Sequence, residues 1–127
     1  MGMSHEEIER WASAYIEAQQ DPTLLKGDHP LWWAVQKFMP GTDRAPPDDC
    51  WAVILEVLSR NPPDKVISVL AAGPLEDLID DHGPEFIERI EIESRRNPSF
   101  RNLLGGVWQS STPDIWSRVQ RAQGQRW

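Results

Sequence analysis

Cysteine is almost missing from this chain: Cys50 stands alone among 127 residues. A single thiol excludes an internal disulfide and a thiolate-rich zinc site. Long apolar runs are missing too. No stretch approaches the roughly 18 uninterrupted apolar residues of a membrane-spanning helix. The first twenty residues carry five charged side chains and no apolar run of the signal-peptide kind. No membrane partner is expected, and the cytoplasm is the expected compartment. Basic residues are scarce, with 13 Lys+Arg against 20 Asp+Glu and a net charge of −7. A phosphate backbone is gripped by Lys and Arg, so nucleic acid is not an expected partner.

Catalytic and cofactor signatures are lacking as well. There is no Gly-x-Ser-x-Gly, no Walker loop and no dinucleotide fingerprint. The three histidines, His5, His29 and His82, do not fall at metal-binding spacing. Neither a cofactor nor a metal is expected. Cys50 precedes Trp51 near a helix start, where a thiolate is favoured. Asp48 and Asp49 beside it oppose that, and no sequence feature pairs Cys50 with a histidine.

What is present reads as a folded helical protein. Hydrophobic residues make up 39% and there are seven tryptophans, which disfavours disorder. The length suits one domain, 1–127, with an N-terminal helical pair over 1–40 and a main helical body over 48–122. Residues 40–49 form the clear loop, a possible hinge between the two.

Eleven prolines punctuate the chain, mostly where a helix can begin. The segments between them repeat apolar residues at 3–4 positions. Ser4 and Glu7 form a capping box opening a helix over His5–Gln20. A second helix is expected from Asp28, carrying Leu31 to Met39. Its adjacent Trp32 and Trp33 diverge by about 100°. A third runs from Asp48 or Asp49 to about Arg60. Asn61 caps a fourth, ended by Gly73 as a C′ residue. Pro74 opens a fifth through His82, and Gly83-Pro84 opens a sixth. Asn97-Pro98 and Thr112-Pro113 open the last two. The fold class is all-α: about eight short helices as stacked hairpins or an irregular bundle. Arg60-Asn61-Pro62-Pro63 recurs as Arg96-Asn97-Pro98-Ser99, a spacing compatible with HEAT-like helical pairs. The expected core is Trp51, Leu55, Leu70, Leu78, Phe86, Ile90, Leu104 and Trp116, each on an apolar stripe.

Several strings carry a resemblance. They are Trp51-Ala52-Val53-Ile54-Leu55-Glu56, Gly73-Pro74-Leu75-Glu76-Asp77-Leu78-Ile79, His82-Gly83, Phe86-Ile87-Glu88-Arg89 and Leu103-Leu104-Gly105-Gly106-Val107-Trp108. Together they resemble a bacterial family of small acidic helical proteins known only as a domain of unknown function. The resemblance spans a little over half the chain. It implies a bacterial, largely helical protein and supplies no activity, cofactor or partner.

Charge is unevenly spread. Residues 74–93 hold eight carboxylates (Glu76, Asp77, Asp80, Asp81, Glu85, Glu88, Glu91 and Glu93) against Arg89 alone. Residues 94–127 hold six arginines against Asp114. Either the two segments pair with each other or the acidic one is a docking face for a basic partner. Glu76 with Asp80, and Asp77 with Asp81, are like-charge i,i+4 pairs, each unfavourable by a few tenths of a kcal/mol. A cation, an arginine or a helix terminus is needed to offset them. Asp77, Asp81 and His82 could supply ligands to a divalent ion, though no Ca²⁺-loop pattern surrounds them. Capping of a helix C-terminus accounts for His82 without chemistry.

Tryptophan is the second anomaly. Trp11, Trp51 and Trp116 fit apolar faces, whereas Trp33, Trp108 and Trp127 fit less well. Exposed tryptophan is typical of binding hot spots. The expected function is a non-enzymatic interaction module, an inhibitor or immunity-type protein. It would use Glu76, Asp77, Asp80, Asp81, Glu85, Glu88, Trp33 and Trp108 against a basic protein. On that reading Asp80 and Glu88 could be reversed to lysine without loss of fold. The alternative is a small enzyme with a carboxylate-lined cleft around Glu76, Asp80 and His82.

Overall fold

The computed structural model describes residues 2–127 and is all-helical, with 69% of residues in helix and no strand among them. Helix α1, His5–Gln20, starts at the anticipated capping box: the Ser4 side chain accepts from Glu7 N–H, and Glu7 accepts from Ser4 N–H. A 3-10 turn, Leu24–Lys26, leads to α2, Trp32–Gln36. Then follow α3, Pro47–Ser59; α4, Asp64–Leu70; a π turn, Ala71–Leu75; and α5, Glu76–Arg96. Helices α6, Pro98–Leu104, and α7, Pro113–Ala122, complete the chain. The last two start where expected, with Asn97 capping Phe100 N–H and Thr112 capping Ile115 N–H.

The expected number of helices needs correcting. Helix α4, the π turn and α5 run on without a break, so among the described residues there are six continuous helices besides the 3-10 turn, not about eight. The two Gly-Pro pairs are the reason. Gly73 does not take the left-handed conformation of a C′ residue, because the backbone widens by one residue there instead. Glu76 N–H reaches back to Ala71 C=O, five residues away, and Pro74, which has no N–H, sits inside the wide turn. At Gly83-Pro84 the helix only kinks, with His82 at φ −134° and ψ 24°. The second helix is also shorter than expected. Gly27 and Asp28 both take positive φ, 96° and 51°, which delays its start to Trp32.

The Asn-Pro sequence repeat does not become a structural one. Asn61 has φ 49° and precedes a helix starting at Asp64, whereas Asn97 is extended and caps a helix starting at Pro98. Helix α1 lies along α3 and touches α2 and α4, while α5 carries α6 and α7 and meets α3. A continuous core runs from Trp11 to Val119. Six of the eight expected core residues are buried. Trp51 and Leu55 are partly buried and pack against that core. Trp51 sits between Phe86 and Phe100, with ring centroids 5.7 and 5.4 Å away.

The 40–49 loop is fastened at its middle, by two adjacent residues. Ala45 N–H donates to Lys37 C=O at 2.9 Å, and the Arg44 guanidinium pairs with Asp81. That pairing ties the segment after α2 directly to α5.

Candidate functional site

The loop joining α6 to α7 lies against the first half of α5. Its backbone hangs on two carboxylates: Glu76 Oε1 accepts from Trp108 N–H at 2.9 Å, and Asp80 Oδ1 accepts from Ser111 N–H at 3.0 Å. Glu76 and Asp80 are one turn apart on α5 and meet amides three residues apart in the loop, which bends at Ser111 with φ 64°. The unfavourable like-charge pairing seen in the sequence is offset by these backbone dipoles. The second pair, Asp77 and Asp81, is offset by Arg44.

Gly83 completes the seat. A Cβ built there would stand 2.6 Å from Ser111 Oγ and 2.9 Å from an Ile115 methyl, so only glycine lets α7 approach this closely. Val107 is buried, while the next residue, Trp108, points outward with 69% of its surface exposed. The exposed indole thus stands on a backbone hydrogen-bonded to α5 at Trp108 and at Ser111.

The other expected site residues are dispersed in role. Asp77 is half-buried, and burial pushes its carboxyl above the usual range against the pull of Arg44. Glu85 contacts His82 Nδ1 at 3.1 Å and is otherwise exposed. Glu88 is exposed and forms no ion pair among the described residues. Trp33 is partly buried near α1, where Lys37 Nζ lies 5.5 Å from both its ring and that of Trp11. It is therefore away from the α5 group in bonding terms, within a cation–π sandwich of its own.

The free-surface view of the acidic segment needs amending at Asp80, which fastens the α6–α7 loop. Reversing it to lysine would remove the acceptor of Ser111 N–H. Glu91 and Glu93 are engaged as well: Arg118 grips Glu91 at 2.6 and 3.0 Å, and Glu93 accepts from Arg96 and Asn97. The acidic and basic segments therefore do pair in part, and Arg118 holds the Glu91 carboxyl below its ordinary value.

Glu76, Asp80 and His82 do not converge as an acid–base set. Each has a separate partner: Trp108 N–H, Ser111 N–H and Glu85. Five surface clefts can be delineated, and none of these five is lined by any of the three residues. Among the described residues no three His, Cys, Asp or Glu side chains are grouped as metal ligands would be. No helix is long and apolar enough to cross a membrane. Cys50 is only 2% exposed, and burial raises its thiol pKa to about 11. It packs instead of reacting.

One feature has no signal in the sequence: Arg44 comes from the apparent hinge, and no local pattern ties it to Asp81, 37 residues on. The Gly105-Gly106 pair, which lacks the companions of a phosphate loop and suits a helix end or close packing, is indeed closely packed: a Cβ on Gly105 would stand 2.2 Å from Gln125 C=O, and one on Gly106 would strike the Trp127 ring at 2.5 Å.

No curated protein and no solved structure matches the chain. Residues 19–127 match the model of a family of unknown function, DUF6869, well beyond the segment that carries the sequence resemblance. On that match the chain belongs to this family of unknown function.

Proposed function

We propose that the protein is a non-enzymatic helical interaction module that docks a basic partner protein on the surface around Trp108. The observation that carries this is the exposed Trp108 indole on a backbone fastened by Glu76 and Asp80. A large aromatic side chain presented on a held backbone loses little freedom on binding, which is what a hot spot needs. Glu85 and Glu88 lie further along the same helix, exposed and without a lysine or arginine partner. Their unpaired charge adds to the negative field that would speed the approach of a cationic partner. Small size and a net charge of −7 suit the inhibitor or immunity-type form of this role.

The test is bait capture from the source organism, followed by binding kinetics with the purified partner. A positively charged partner is expected. Trp108→Ala should weaken it at least tenfold. The double variant E85K/E88K should slow association, and more so at low salt. A partner that binds all three proteins equally well would place the docking surface elsewhere.

A further inference from the structure

In a chain this acidic, one groove is strongly basic. It lies where α5, α6 and α7 meet, has a volume of about 270 Å³, and is lined by Arg95, Arg101, Arg118 and Arg121 with Glu91 as the only carboxylate. Its local charge is thus +3, within a protein whose total is −7.

Three of the four arginines are already positioned. Arg118 is clamped by both Glu91 oxygens. Arg121 Nη1 contacts Ser117 Oγ at 3.4 Å. The Arg101 stem lies over Gly124, where an added Cβ would come within 3.3 Å of it. Gly124 N–H also donates to Arg101 C=O at 3.2 Å, so the C-terminal segment holds this wall in place. Arg95, Arg101 and Arg121 have no carboxylate partner among the described residues. Gathering like charges is unfavourable unless an anion occupies the space between them.

We propose that this groove binds a compact phosphoryl oxyanion, carried by a small molecule. Guanidinium forks match phosphate oxygens two at a time. Arginines arriving from three helices suit a tetrahedral group, whose oxygens point in several directions, better than a planar carboxylate. The groove is smaller than most sites for drug-sized ligands. The acidity of the rest of the chain opposes an extended polyanion.

The experiment is calorimetric titration of the full chain, in low-salt buffer without phosphate, with inorganic pyrophosphate and with ribose 5-phosphate. Saturable one-site binding by either, with Kd below about 1 mM, is the expected result. The stronger of the two tells free from esterified phosphate. Arg95→Gln and Arg121→Gln should each weaken binding at least tenfold, whereas Arg10→Gln, on the exposed side of α1, should leave it unchanged. Circular dichroism of each variant confirms that it is folded. No saturable heat up to about 10 mM overturns the proposal. So does equal weakening by Arg10→Gln, or citrate binding as tightly as pyrophosphate. A single-stranded oligonucleotide that binds more tightly than pyrophosphate through the same arginines overturns the compact occupant.

Discussion

Glu76 accepts the backbone N–H of Trp108 at 2.9 Å, across 32 residues of sequence. The first turn of α5 thereby sets where the most exposed tryptophan stands. Asp80 does the same for Ser111. Glu76→Gln should retain an acceptor and most of the effect, whereas Glu76→Ala should lose about 1 kcal/mol of stability, a net hydrogen bond. Hydrogen exchange locates the loss: the Trp108 and Ser111 amides should exchange faster in Glu76→Ala and Asp80→Ala while the α1 amides stay protected. Unchanged exchange at both amides would show that the loop is held by packing alone.

Two glycines in the same helical run should answer oppositely to alanine. Nothing lies within 4 Å of a Cβ placed on Gly73, and its φ is not in the left-handed region. Gly73→Ala should therefore be neutral or stabilising, by up to about 1 kcal/mol. Gly83→Ala drives a methyl into Ser111 and Ile115 and should be destabilising by about 1–3 kcal/mol. Urea denaturation of the two variants decides this, and the same sign for both would refute the packing described at Gly83.

Tyr15 is only 1% exposed, and among the described residues its hydroxyl makes no hydrogen bond of good geometry, Gln19 being the one polar side chain that acts on it. Burial drives its ionisation well above the ordinary tyrosine range. Its ring packs edge-on against Phe38 at 5.1 Å, so the ring is useful and the oxygen is not. Tyr15→Phe should keep or raise the thermal midpoint, by the equivalent of about 1 kcal/mol at most. A clear fall in the midpoint would reveal a partner for the hydroxyl.

Asp21 is held at a pKa of about 2, first by its hydrogen bond with His29 and then by Thr23 N–H and the Thr23 hydroxyl. In the unfolded chain it should titrate near its ordinary value of 3.8. Between those values the unfolded state binds the extra proton, so stability from this group rises with pH from about 2 to 4 and is flat above. Asp21→Asn should flatten that part of the acid-unfolding curve, and NMR titration of the carboxyl should give the depressed value directly.

Much of the fold was legible because its signals are local. The Ser4–Glu7 box, Asn97-Pro98 and Thr112-Pro113 each act within four residues, and each starts its helix where the sequence places it. The Gly-Pro pairs misled because proline is equally compatible with a fresh helix start and with a wide or kinked turn in a longer one. Only the packing of α5 against α7 and the π turn chooses between these. The acidic segment was visible as composition, but composition does not show that Asp80 serves Ser111 or that Asp81 faces Arg44. The arginine groove was visible only as a basic tail, because its four members come from three helices.

The π turn at Ala71–Leu75 has one more consequence. Residues in a regular α-helix advance by 100°, and a wide turn advances each residue by less. The five residues of the turn therefore set the second apolar stripe back by about a quarter revolution. This brings Leu78 into phase with Val66 and Leu70. Removing one residue there would take away about 100° while the return to regular helix gives back about 90°, so the core face of α5 would keep its phase to within about 10°. The wide turn therefore stores one extra residue without turning α5 away from its neighbours, and Gly73, with open space around it, is the residue best placed to be lost.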